Sequence, residues 1–363
     1  MAGSPDYRKT LEIPEVLSSC DGKITSAAEF EAVRDDMIKM LETHMYGRMP
    51  KKPNHLQYET ADFDPTYLGG IGCYKEYKVY AEFDNGTVSF SFRLATPKTN
   101  GKKPPLILHL SHYPYTPNPH QPTEEILENG FAVCTLYYRS VTPSDGDFRS
   151  GNAKILAGSR RSQTSSGKIA MWAWAVIRTI EVIEVLDSVD LQNIAVAGYD
   201  TLAKSVLLAA AYDKRIKYTC ANGAGVCGDS IIRKSDPYMY SYVIRTTPYW
   251  FCPKFARYEC RLYRPPFDQH FLLSLIAPRR IIILTAKNDN QANPASQYLA
   301  LKLTNPVYNL YGLTAVPEVD FSNESGCHLE EHCLFDMKDT IRFFNRGDWH
   351  KLMDFIKACM EKE

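Results

Sequence analysis

Five short, almost unbroken apolar runs decide what this chain can fold into. They are "PLILHLS" (105–111), "FAVCTLY" (131–137), "NIAVAG" (193–198), "YTCAN" (218–222) and "RIIILTA" (280–286). A strand with one wet face alternates apolar and polar residues; these runs do not, so both of their faces are buried, as in a parallel sheet covered by helices. Helical patterns lie between them, most clearly "GKIAMWAWAVIRTIEVIEVLDS" (167–188) and "LAKSVLLAAAYD" (202–213). Strands alternating with helices predict an α/β fold with a mostly parallel, doubly wound sheet and helices on both faces. Earlier, "YKVYAEF" and "TVSFSFRLA" alternate around Asp84-Asn85-Gly86, which predicts an antiparallel N-terminal hairpin. Ser26 to Glu29 reads as a capping box for an amphipathic helix reaching Tyr46, with Phe30, Val33, Met37, Leu41 and Met45 on one face. No Gly/Ser/Pro linker divides the rest. The expected organisation is a helical extension, 1–50, packed on one domain, 51–363.

Composition narrows the function. Of 363 residues, 44% are hydrophobic, enough for a large core, and 42 basic residues balance 42 acidic ones. A net charge of zero removes the electrostatic case for nucleic acid or an anionic membrane. The N-terminus has no apolar signal core, and no segment reaches membrane-spanning length. Ten cysteines without a small-framework spacing suit reduced thiols, so a cytoplasmic location is expected.

The stretch "IAVAGYDTLAKSVLLAAAYDKRI" (194–216) reads as strand, sharp turn and helix, where a serine hydrolase carries its nucleophile. Here the place is held by Asp200. The first glycine of the usual G-x-nucleophile-x-G pattern is Gly198; the second is replaced by Leu202. An aspartate at a helix N-terminus is also an ordinary cap, so the residues alone leave both readings open.

Several other stretches carry a resemblance. "TPYWFCPKFARY" (247–258), "PPFDQHFLLSLIAPRR" (265–280), the W-A-W helix at 167–188 and "ETHMYGRMP" (42–50) resemble the glucuronoyl esterases, carbohydrate esterase family fifteen, whose elbow is G-x-S-R-x-G-K. The resemblance spans roughly residues 11 to 358 and implies the α/β-hydrolase fold. It places the nucleophilic serine on Asp200 and the neighbouring oxyanion arginine on Thr201, two departures. The sugar-contacting lysine falls on Lys204 and the pocket tryptophan on Trp250, both kept. The catalytic acid falls on Gly223, where it is lost, or on Asp289, where it is present. The catalytic histidine falls on His332. The expected site is therefore Asp200, His332 and Asp289 for chemistry, with Lys204, Trp250 and Thr201 around the ligand.

Serine-type acyl transfer needs a hydroxyll that a histidine can deprotonate and donors aimed at the oxyanion. Without Ser and Arg, little or no ordinary esterase activity is expected. The chain would then bind a carbohydrate-derived small molecule on an esterase frame. Alternatively, Asp200 serves as nucleophile or base with His332 and Asp289. A third reading is a zinc hydrolase, because His328-Leu329-Glu330-Glu331-His332 fits H-x-x-E-H, which requires both histidines on one helical face. Gly223-Ala224-Gly225-Val226-Cys227-Gly228 fits a dinucleotide fingerprint, but no βαβ unit follows it. Outside that third reading, no cofactor and no metal are expected.

Overall fold

A computed structural model describes residues 12–19, 22–99, 101–158, 160–259, 264–319, 321 and 327–362. The first part of the N-terminal extension and the polar stretch 322–326 lie outside them.

Ten strands form one sheet: β1 His55–Asp64, β2 Gly72–Phe83, β3 Gly86–Pro97, β4 Pro105–Ser111, β5 Ala132–Tyr137, β6 Asp190–Tyr199, β7 Ile216–Asn222, β8 Arg280–Ala286, β9 Cys327–Glu330 and β10 Leu334–Lys338. Their order across the sheet is β9-β10-β8-β7-β6-β4-β5-β3-β2-β1. The block from β5 to β10 is parallel, β1 to β3 join it antiparallel, and β9 closes the far edge antiparallel to β10. The Asp84-Asn85 hairpin and all five apolar runs form as expected. Strand β10 was not anticipated, and its consequence for the site is large.

The longer helices are α1 Ala27–Leu41, α2 Lys168–Leu186, α3 Thr201–Tyr212, α4 Pro237–Thr246, α5 Pro294–Lys302 and α6 Arg346–Lys362. Strand periodicity sorts the core between them. Leu106, Leu108 and Leu110 of β4 join α2 and α3 in one cluster, whereas Ile107, between them, joins Trp349, Leu352 and Met353 of α6 on the other face. Helix α1 starts as the capping signal predicts, with Ser26 Oγ accepting from the Glu29 N–H at 3.3 Å; the Glu29 carboxylate reaches back to the Thr25 N–H at 2.7 Å. Arg34 donates to the Leu275 and Ala277 carbonyls, and Phe30, Leu41 and Tyr46 enter the core shared by α2 and α3.

Register puts the C-terminal ends of the parallel strands along one edge. Leu110 pairs with Gly198, Tyr199 with Asn222, Asn222 with Leu284, and Ala286 with Lys338. The segments leaving this edge carry His112, Asp200, Gly223, Asp289 and Arg342. In open α/β sheets the crevice beyond these strand ends is where ligands bind.

Candidate active site

Asp200 sits at the turn from β6 into α3 with φ 55° and ψ −124°, a conformation L-residues rarely adopt. Gly198 makes the turn feasible: a Cβ there would lie 2.7 Å from the Leu202 carbonyl oxygen. The Asp200 N–H is fixed by the Asn222 carbonyl at 2.9 Å. The carboxylate does not cap α3. It turns outward to Arg342 instead, so the plain N-cap reading fails on geometry.

Arg342, four residues past the end of β10, holds the centre together. Its Nη2 is paired with Asp200 Oδ1 and lies 3.3 Å from the Gly223 carbonyl oxygen. Its Nε stands 3.1 Å from Asp289 Oδ2, an ion pair without hydrogen-bond alignment. Nη1 donates to Gln291 Oε1, and the guanidinium stacks 5.7 Å over the Tyr199 ring. Burial opposes its charge, but Asp200 and Asp289 outweigh burial and hold its pKa above the ordinary arginine value. Asp289 Oδ1 accepts from the Gln291 and Ala292 N–H groups at 3.1 and 3.0 Å. Gly223 leaves the room: a Cβ there would lie 3.4 Å from Arg342 Nε and 3.5 Å from Asp289 Oδ2.

The structure thus brings Asp200 and Asp289 together but not His332. His332 precedes β10, whereas the cleft lies beyond the strand's other end. Its Nε2 is 2.7 Å from the Pro278 carbonyl oxygen, just ahead of β8. Strand β8, seven residues at ~3.3 Å each, separates that level from the cleft by roughly 20 Å. An attacking water cannot be shared between Asp200 and His332. The zinc geometry also fails, because His328 lies on strand β9 and no helix aligns it with His332. His328 Nδ1 instead meets Asp336 Oδ1 at 3.2 Å. Among the described residues no three His, Cys, Asp or Glu side chains are placed to hold a metal ion.

Lys204 does not reach into the cleft. It is 4% exposed, and its ammonium donates to the Ala224 carbonyl and, at 2.9 Å, to that of Val226. Burial lowers its pKa. Lys204 therefore anchors the glycine-rich turn that resembled a dinucleotide fingerprint. There Gly225 has φ 62°, and a Cβ on it would lie 2.6 Å from the Gln291 carbonyl oxygen. Thr201 is buried at the first turn of α3. Trp250 donates from its indole N–H to Ser144 Oγ at 2.9 Å, with its ring against Tyr249 and Phe251.

Two imidazoles packed around Tyr199, the residue before Asp200, carry no signal in the sequence. His112 follows β4, and its Nε2 lies 3.2 Å from the Tyr199 carbonyl oxygen. Burial lowers its pKa, against an upward pull from the Asp200 charge. His120 packs 4.8 Å from the Tyr199 ring and 4.5 Å from that of Phe343, and burial pushes its pKa down to about 4.

A sheet of this order, with a strained strand-to-helix turn and an acid after the next-to-last parallel strand, defines an α/β-hydrolase. The chain belongs to the family described as "Glucuronyl esterase, fungi", whose profile matches residues 79–312. It is 25% identical over 342 residues to Carbohydrate esterase MZ0003 from an unknown prokaryotic organism, covering 83% of this chain and 78% of the relative. It is 26% identical over 352 residues to a 4-O-methyl-glucuronoyl methylesterase of Phanerochaete carnosa, covering 92% and 80%. Among solved structures, a glucuronoyl esterase from Solibacter usitatus superposes with a TM-score of 0.88 at 22% identity, over 96% of this chain and 97% of that one. A promiscuous CE15 esterase from a marine bacterial metagenome does so with 0.85 at 22%, over 95% and 96%. At such identity the structural likeness speaks for the fold alone.

Proposed function

We propose that this chain is a glucuronyl-esterase-family protein that has lost serine-based ester cleavage and keeps a site for a carbohydrate-derived, acidic small molecule. The observation that carries the reading is Arg342, whose guanidinium engages Asp200 and Asp289 at once. Asp200 stands in the nucleophile's place, and Arg342 follows the last parallel strand, where the fold would carry the general base. A guanidinium stays protonated and cannot take a proton from a nucleophile or a water. Asp200, neutralised by it, is a poor attacker on carbon. Asp289, the acid that would orient a histidine, orients an arginine. The half-buried guanidinium also supplies a fixed positive charge for an acidic sugar carboxylate that competes with Asp200.

We also place the protein in the cytoplasm. Seven free cysteines among the described residues support a reducing compartment.

Single-turnover incubation with uronate esters, acetylated sugars, epoxides and haloalkanes, followed by intact-protein mass, tests the reading. The expected result is neither adduct nor turnover, with free uronates raising the melting temperature. A covalent adduct on Asp200, or ester turnover removed by Asp200→Ala, would establish an aspartate-based hydrolase instead.

A further inference from the structure

A second region carries chemistry that the Asp200 centre does not use. Residues 48–52 and Asn54, the turn Phe83 to Asn85, and residues 155–158 and 160–166 line a cavity of about 430 Å³, which continues into two more open depressions bordered by Pro253, Lys254 and Arg257. The three share Thr164, Arg160, Ser162, Gln163 or Pro253 along their borders, so they form one groove. None of them is lined by Asp200, Asp289 or Arg342.

The walls are tied together by backbone. The Arg48 N–H donates to the Thr164 carbonyl at 3.0 Å, the Lys254 N–H to that of Gln163 at 2.9 Å, and the Gly167 N–H to that of Tyr46 at 2.9 Å. Gly47 adopts φ 79°, and a Cβ on it would lie 2.3 Å from the Ser165 carbonyl oxygen. The groove is therefore preformed, which reduces the ordering cost of binding.

Its charge is one-sided. Arg48, Lys51, Arg160, Lys254 and Arg257 line it, and among the described residues none of the five has a carboxylate partner. Lys52 is only loosely paired, 3.7 Å from Glu181, and the one lining carboxylate, Asp84, is engaged by Asn54 at 2.7 Å. Lys254 and Arg257 add to burial in lowering the pKa of nearby His44. In a chain of zero net charge, five unpaired cations on one rigid wall are a local concentration of positive potential.

We propose that this groove binds an anionic oligosaccharide through repeated carboxylates. Between the cations, Ser162, Thr164 and Asn85 supply neutral hydrogen-bonding groups suited to sugar hydroxyls. The groove offers no stacking platform: Phe83 is its one aromatic lining residue, whereas single-stranded nucleic acid calls for a series of them. This surface does not depend on whether the Asp200 centre retains chemistry.

The test is calorimetric titration with oligogalacturonate at low and physiological salt, beside its methyl-esterified form, polyphosphate and single-stranded DNA. Binding of the free acid, weakening with salt and absent for the ester, is expected. Arg160→Glu with Lys254→Glu should weaken it at least about tenfold. Lys98→Glu, an exposed charge at the other end of β3, should leave it unchanged. Arg257→Glu repeats the test should the double variant melt early. Absence of binding, equal loss in Lys98→Glu, insensitivity to the groove variants, or preference for polyphosphate or DNA at matched charge would each overturn the proposal.

Discussion

At the scale of single residues, Asp200 and Arg342 explain each other. An aspartate alone at the elbow is a free carboxylate in a strained turn, and an arginine alone in the last loop is a half-buried charge without a partner. Together with Asp289 they form a network in which two carboxylates share the charge of one guanidinium. Reverting one member therefore restores nothing. Asp200→Ser leaves Arg342 where a base is needed, and Arg342→His leaves no hydroxyl to activate. The expected outcome is that neither single variant, nor the pair Asp200→Ser/Thr201→Arg, hydrolyses a glucuronoyl methyl ester above background. The triple variant with Arg342→His should gain at least ~10²-fold, since nucleophile, base and oxyanion donor act as a unit. Methanol release measures it. Activity in Asp200→Ser alone would show that another base, His112 being the nearest imidazole with a carbonyl contact at the elbow, already serves the cleft.

At the scale of elements, the strand-to-helix turn was legible because its constraint is local. Gly198 must be small where α3 folds back on β6. Gly198→Ala should destabilise the protein by about 1–3 kcal/mol, as overpacking against backbone cannot relax through a side chain. Urea unfolding measures this, and a neutral effect would mean that the turn can open. Strand β10 was illegible for an equally physical reason. Its sequence, "LFDMK", carries Asp336, buried yet paired with Lys351 and 3.2 Å from His328, so a central strand position reads as polar. The resemblance sets the catalytic histidine on His332 of "EEHCLFD", which precedes the last parallel strand instead of following it. One missed element moved the expected base to the wrong end of the molecule and hid Arg342. Lys204 failed differently: its place in the chain was right, but its ammonium was already committed to two carbonyls.

At the scale of the whole molecule, burying so much of a 363-residue chain also buries groups that titrate, and their balance sets how the fold responds to acid. Burial pushes His109 down to about 3 and His120 and His270 down to about 4. A histidine depressed in the folded state takes its proton first when unfolded, near pH ~6.5. Its contribution is complete above that value and is lost as pH falls toward the folded pKa. Asp229 acts in the opposite sense. Burial raises its pKa to about 6, against hydrogen bonds from Gln297 and the Gly225 N–H, so its contribution is present at low pH and is lost as pH rises through 6. Between pH ~4.5 and ~6 the unfolded state thus binds up to three more protons at the histidines, and the folded state one more at Asp229. From these four groups, the net of about two protons contributes a rise in stability of roughly 2–3 kcal/mol per pH unit, at about 1.4 kcal/mol per proton. Asp229→Asn should steepen that slope by one proton and stabilise the protein at neutral pH. His270→Gln should flatten it by one. Unfolding free energies from urea titrations at several pH values give the slopes directly. Equal slopes in all three proteins would mean that these sites admit water and titrate as they do in the unfolded chain.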